Sequence, residues 1–362
     1  MSQPPTRARR RRATAEPTVV VGVGIDPLAM ADTYGDEALR RVVHEELLDE
    51  LAVHGTLVFS SAAELAEFRD ALARLPQSLA KRWETMISGR RLVVDMLDPE
   101  ASPSIAQALD AGELEDAVSG PVCLVLLERD HAALLGVPPG EFASMAPGGR
   151  LELGRLGTAT RTAALQRASR LLTAPLREGD DREQLWAERF GPLVEVSSTV
   201  VVYDKYAGAQ AARRYVHGER NADGLSWFVS RVALRPGKRV RLITAVVADD
   251  RRVLDERTVA PGLQALRDRL ADRDVRLDVV LVPERSDRGD RFGHDRHIRF
   301  DERVALSLGP GLQAFAQPKV TETIVVAQLP VADAKVREAA AERAQVRPPT
   351  DGWVRHPGRM RA

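Results

Sequence analysis

Short apolar runs alternate with segments of helical period along most of the chain, and this alternation restricts the possible folds more than any other feature. Val19-Val20-Val21-Gly22-Val23-Gly24-Ile25 is a continuous apolar stretch closed by Asp26-Pro27. Such a run, bounded by a turn pair, reads as a buried strand. Residues 36–53 then space Leu39, Val42, Val43, Leu47, Leu48 and Leu51 at helical intervals behind Asp36 and Glu37, which suit a helix N-terminus. Thr56–Phe59 is a second strand. Ser61 with Glu64 forms a capping-box pattern before a helix carrying Leu65, Phe68, Leu72 and Leu75. A helix over 77–87, a strand at Leu92–Val94, a short helix around Ile105–Leu109 and a strand at Val122–Leu127 complete the series. Alternation of this kind predicts an α/β layer domain.

The pattern repeats after a break. Residues 131–150 are rich in Gly and Pro and read as a linker, residues 158–190 hold one or two helices, and Gly191-Pro192 marks the boundary. Beyond it, strands are expected at Val194–Tyr203, Val240–Val247, Val275–Val282 and Ile324–Leu329. Helices are expected at Leu225–Leu234 and around Leu263, Leu266 and Leu270, with a hairpin over Arg299–Leu308 turning at Asp301-Glu302. The expected organisation is a disordered basic tail (1–17), an α/β domain of unknown type (18–190), a second α/β domain (194–330) with a mixed sheet flanked by helices, and a short helix and charged tail (331–362).

Composition narrows the function classes. The 362 residues carry 52 basic and 52 acidic side chains, so a whole surface devoted to nucleic acid is not expected, although local basic patches stay open. Arginine far outnumbers lysine and alanine is abundant, which suggests a high-GC bacterial coding sequence. The longest apolar runs fall short of the roughly 20 residues that cross a bilayer, and the basic start is not followed by the apolar segment of a signal peptide. A single cysteine, Cys123, excludes an internal disulfide and fits a reducing cytoplasm; within Val122-Cys123-Leu124-Val125 it reads as a buried structural thiol. No zinc-ligand spacing occurs, Gly22 and Gly24 do not complete a dinucleotide fingerprint, and no cofactor or metal is expected.

One segment carries chemistry. His294-Asp295-Arg296-His297-Ile298-Arg299-Phe300-Asp301 fits His-x-Arg-x-x-x-x-Asp. On a strand, residues two apart share a face at about 6.6 Å, so His294 and Arg296 would project together. An imidazole could then attack a phosphodiester that the guanidinium holds. Asp301 lies past the strand and could orient the imidazole or neutralise the arginine. Asp204, Lys205 and Tyr206 follow the C-terminal end of the expected strand Val194–Tyr203, the position where α/β sheets place ligands.

This segment resembles the phospholipase D superfamily motif His-x-Lys-x-x-x-x-Asp, with Arg296 in place of lysine. The surroundings resemble the C-terminal domain of eukaryotic MIT-domain-containing proteins over about 135 residues: Val201–Tyr206, the His294–Phe300 block, then Leu308-Gly309-Pro310-Gly311-Leu312 and Phe315. The resemblance implies a phospholipase-D-like domain. In the eukaryotic family such domains act with ESCRT filaments in cytokinesis and are implicated in binding acidic phospholipids. Arginine recognises phosphate through a planar fork but is always charged, so the swap favours holding a phosphate over cutting it.

The expectation is therefore a module that binds an anionic lipid or other phosphate-bearing ligand, in the cytoplasm or peripheral to a membrane, of the kind that would serve a bacterial conflict system. His294, Arg296 and Asp301 are the catalytic candidates should it be an enzyme. Asp204, Lys205, Tyr206, His297 and Arg299 are the ligand-binding candidates. A phosphodiesterase would need two copies of the single His294 motif in a homodimer; a protein partner and nucleic acid stay open. The alternative is a metal-dependent, PIN-like nuclease in the first domain, using Asp26, Asp95, Asp98 and Asp130 at strand ends.

Overall fold

The computed structural model describes residues 18–31, 36–97, 104–118, 120–216, 223–246, 256–283 and 296–344. The expected tail 1–17, the end of the expected C-terminal tail, and the candidates Asp98 and His294 lie outside the described residues. The chain is α/β and divides into two compact units, Met1–Leu172 with Ala187–Pro192, and Thr173–Trp186 with Leu193–Ala362.

The first unit holds strands β1 (Val21–Ile25), β2 (Gly55–Phe59), β3 (Val93–Met96), β4 (Leu124–Leu127), β5 (Ala143–Met145) and β6 (Glu152–Arg155) in the order β3-β2-β1-β4-β6-β5. All pair parallel except the edge strand β5. Its helices are α1 (Glu37–His54), α2 (Ala62–Ala73), α3 (Gln77–Ser88), α4 (Ala111–Val118), α5 (Arg129–Leu134) and α6 (Ala163–Thr173). Asp36 caps α1 by accepting from Leu39 N, and Ser61 caps α2 by accepting from Glu64 N. The alternation of strand and helix thus produces a doubly wound sheet with helices on both faces, one centred on Trp83, Phe59 and Phe68, the other on Leu114, Val125 and Leu153.

Three buried glutamates tie its loops down. Glu64 accepts from the Ser60 and Ile105 amides at 2.7 Å each, Glu115 from those of Gly148, Arg150 and Leu151, and Glu152 from Ala163 and Ala164 at the start of α6. A buried carboxylate needs such donors to remain ionised.

Two short helices follow, α7 (Arg182–Leu185) and α8 (Gly191–Glu195). The second sheet is built from β7 (Thr199–Tyr203), β8 (Lys238–Val246), β9 (Val275–Pro283), β10 (His297–Phe300), β11 (Val304–Leu308) and β12 (Val326–Leu329). The order is β12-β11-β10-β7-β8-β9; β7, β8 and β9 run parallel, and β10, β11 and β12 add an antiparallel wing. Helices α9 (Ala207–Val216), α10 (Gly224–Val232) and α11 (Glu256–Arg269) accompany the parallel half, and α12 (Val331–Arg343) closes the unit.

Several expected boundaries shift. Val194 and Glu195 belong to α8, and the strand begins only at Thr199. The short helix near Ile105 is a single 3-10 turn, and the helix of this region is α4, whose first amides bond Asp110. Helix α9 escaped the sequence reading because its buried face is Ala207, Ala209, Ala211 and Ala212 rather than large apolar residues. That small face lets α11 come close: a Cβ on Gly262 would stand 2.3 Å from the Ala212 Cα.

Residues 331–343, expected as part of a charged segment, form a helix fastened to the sheet. Glu338 accepts from Arg299 Nε at 2.8 Å and Nη2 at 2.6 Å and faces His297 Nε2 at 3.2 Å. His297 also stacks on Tyr203, with ring centroids 4.8 Å apart. The Glu338 carboxyl is depressed below its ordinary value: burial pushes it up, and the bonds from Arg299 and His297 outweigh that. Removing one partner of a buried pair leaves the other charge stranded, at a cost of about 3 kcal/mol. Glu338→Ala should lower the stability of the second unit by that order, read from its transition in scanning calorimetry; an unchanged transition would show that α12 is held by something else.

Candidate functional site

Strand β7 is flanked by β8 and β10, and its C-terminal end adjoins the start of the antiparallel β10. There the sheet brings Asp204, Lys205, Tyr206 and Arg296 together. The Asp204 carboxylate is buried and accepts from the Tyr206 amide at 3.0 Å and the Leu312 amide at 2.9 Å. Arg296 Nε stands 3.9 Å from Asp204 Oδ1, an ion pair too long for a hydrogen bond. The Arg296 guanidinium lies over the Tyr206 ring at 4.8 Å, and the Lys205 ammonium lies 5.1 Å from the same ring. Burial raises the Asp204 carboxyl above its usual value, opposed by the Tyr206 and Leu312 amides and by Arg296.

This corner is filled. Gly311 has φ +64°, and a Cβ there would stand 2.1 Å from Asp204 Oδ2 and 2.7 Å from Arg296 Cδ. Only glycine serves at such a left-handed position against such neighbours. The space between Asp204, Arg296, Gly311 and Leu312 does not hold a water molecule. The charges here answer one another, and the described residues leave no room for a phosphate between them.

The other sequence candidates go elsewhere. His297 and Arg299 alternate with Arg296 and Ile298 along the strand, so they leave the sheet on the opposite face, where Glu338 takes both. Asp301 sits at the far end of β10, at φ +47°. Its carboxylate accepts from the Ser198 amide at 2.7 Å and the Thr199 amide at 2.8 Å, at the opposite end of β7 from Asp204. The five residues of β7 separate those ends, roughly 17 Å. Asp301 therefore fixes the hairpin to the start of β7 and does not reach Arg296.

The strand ends of the first unit are likewise occupied. The sheet reverses direction of growth between β1 and β4, the point at which doubly wound sheets open a crevice. Asp26 follows β1 and is buried; His131, on α5 after β4, faces it with Nδ1 2.8 Å from Oδ2. His131 Nε2 lies 2.8 Å from the Ala108 carbonyl oxygen. Both ring nitrogens meet acceptors, and an imidazole that donates twice is an imidazolium. Asp95 and Asp130 are exposed, and among the described residues no group of three or more His, Cys, Asp or Glu is arranged to hold a metal ion. Cys123 is half-buried, and desolvation pushes its thiol up to about 11, away from the reactive range.

A site that the sequence reading missed lies in the helix layer of the second unit. A cavity of about 350 Å³ opens between α9, α10, α11 and the residue Arg182. Arg182, Arg214, Arg269 and Arg273 line it with the rings of Tyr215 and Trp227, and no Asp or Glu is among the described lining residues. Arg214 pairs with Asp223 at 3.1 Å, the same aspartate that caps α10. Arg182 donates through Nη1 to the Phe315 carbonyl oxygen at 3.0 Å, while its buried Nε makes no hydrogen bond within the described residues. Burial lowers Arg182 below the ordinary arginine value, with Glu183 opposing and Arg231 adding to the shift. The available signal was the basic ends of two helices, Arg213-Arg214-Tyr215 and Arg267-Asp268-Arg269 with Arg273, which meet only once α9 and α11 pack.

No family model matches the chain, and no curated protein matches it. No described helix is long and apolar enough to cross a membrane.

The His131–Asp26 pair makes the first unit sensitive to pH. His131 is raised above its ordinary 6.5, chiefly by the bond to Asp26 and against desolvation. Its contribution is complete below the unfolded value and is lost as pH rises through the higher folded value. The gap in unfolding midpoint between wild type and His131→Gln should therefore shrink as pH is raised from 6.5 upward; a gap that widens would refute the imidazolium.

Proposed function

We propose that the second unit is a binding module of the phospholipase-D-like type for a phosphate-bearing anion, and that it takes the anion in the arginine cleft of the helix layer. One observation carries this: four guanidinium groups face a cavity of about 350 Å³ without a carboxylate among its described lining residues, in a chain of zero net charge. Like charges gathered on a partly enclosed surface raise the local potential and draw in an anion. Arginine forks match phosphate oxygens through paired N–H groups. Arg296 and Asp204 support a different role for the strand-end corner, a self-neutralised contact that shapes the sheet beside the Gly311–Phe315 turn. Arg296, whose guanidinium lies over Tyr206 beside Asp204, takes no part in holding the anion in this reading.

Titration calorimetry of the full chain with inorganic pyrophosphate tests the proposal. Binding is expected at low salt and should weaken as salt is raised, because exposed ionic contacts are screened. Arg269 and Arg273 are exposed, so Arg269→Ala with Arg273→Ala should fold normally and bind at least about tenfold more weakly. Equal affinity in wild type and the double variant, or no heat with either, would contradict it.

A further inference from the structure

We infer that the ligand of the helix cleft is a nucleoside phosphate, a phosphate group carried with a planar base, rather than a bare polyphosphate. This rests on the anion-binding proposal above and adds to it the part of the ligand that carries no charge.

The cleft is not lined by charge alone. Leu266 on α11 and Leu270 just past its end back the cleft as buried packing, and the rings of Tyr215 and Trp227 are its half-buried apolar surface. An inorganic anion leaves the surface of those rings in water, whereas a flat apolar group laid against them removes it. Small-molecule sites characteristically combine such apolar surface with a few convergent polar groups.

The arginines are also held in a particular way. Arg214 and Arg269 each lie over the Tyr215 ring at 5.6 Å, and Arg182 lies over Trp227 at 5.0 Å. A guanidinium laid against a ring loses little further freedom on binding and keeps its plane fixed. Fixed guanidinium planes and aromatic rings are the surfaces on which proteins stack bases. The edges of those planes still point N–H groups at phosphate oxygens, so one set of side chains serves both halves of a nucleotide.

A hydroxyl chain completes the lining. Arg269 Nη1 reaches the Tyr215 hydroxyl at 3.4 Å, and that hydroxyl pairs with Ser226 Oγ at 3.0 Å. Ser230 adds an exposed hydroxyl on the same helix. Hydroxyls that donate and accept suit a ribose, which presents the same groups. At about 350 Å³ the cavity is near the lower end of small-ligand sites, which suits one nucleotide and not a strand.

Titration calorimetry of the full chain with ADP, set beside inorganic pyrophosphate at equal salt, decides the matter. ADP is expected to bind at least about tenfold more tightly than pyrophosphate, since stacking of one base accounts for that much. Ser230→Val, at an exposed position of the uncharged lining, should narrow the difference by weakening ADP and leaving pyrophosphate within about twofold; Tyr215→Phe, which keeps the ring and removes the hydroxyl, supplies a second variant. Equal affinity for the two probes would overturn the nucleoside reading and leave the anion site standing. Binding of neither probe would overturn both. ADP binding that survives Arg269→Ala with Arg273→Ala unchanged would show that the nucleotide sits elsewhere and overturn this assignment.

Discussion

The desolvation of Asp204 governs how the end of the second sheet is built. A carboxyl group removed from water needs partners, and the chain supplies them from three directions: the Tyr206 amide two residues on, the Leu312 amide from a distant turn, and the Arg296 charge, at ion-pair distance, from the start of the neighbouring strand. Meeting that demand forces Gly311 into a left-handed conformation and presses the Gly311–Phe315 turn onto the strand end. The place where an open α/β sheet would offer a ligand crevice is thereby spent on the protein's own charge. The first unit obeys the same constraint: Asp26 is met by His131 at its switch point, while Glu64, Glu115 and Glu152 take backbone amides that an external anion could otherwise have used.

Positive charge also gathers elsewhere. On the far face of the second sheet, Arg299 is consumed by Glu338. In the helix layer, the small face of α9 against Gly262 brings the basic ends of α9 and α11 together beside Tyr215 of α9 and Trp227 of α10. There the charge is only partly answered, by Asp223 at Arg214 and Glu183 at Arg182. The anion-binding chemistry expected of this chain is thus best supported away from the motif that suggested it.

Much of the fold was legible because it rests on periodicity. The apolar run Val19–Ile25, the capped helix at Asp36 and the hairpin turning at Asp301 follow from local rules that tertiary contacts did not override. Helix α9 was not read because its buried face is built from alanine rather than large apolar residues, and that small face acquires its meaning only opposite Gly262. Of the candidate residues, the convergence of Asp204 with Arg296 was foreseeable from strand ends. The separation of His297 and Arg299 from Arg296 follows from the two-residue alternation of a strand, but Glu338, which claims them, lies 39 residues beyond Arg299 on the short helix expected after Pro330, and no local pattern announces that contact. Asp301 was grouped with Arg296 by spacing, although a carboxylate just past a strand is carried to its opposite end. The cleft arginines come from three separated stretches of chain, and no linear pattern joins them.

Hydrogen–deuterium exchange of the full chain with and without pyrophosphate tests this division of labour most directly. The account predicts slowed exchange at the cleft-lining segments 214–215, 226–230 and 266–273, and no change at 199–206, at 296–312 or anywhere in the first unit. Protection centred on 199–206 and 296–312 with the helices unchanged would contradict it and return the anion to the strand ends.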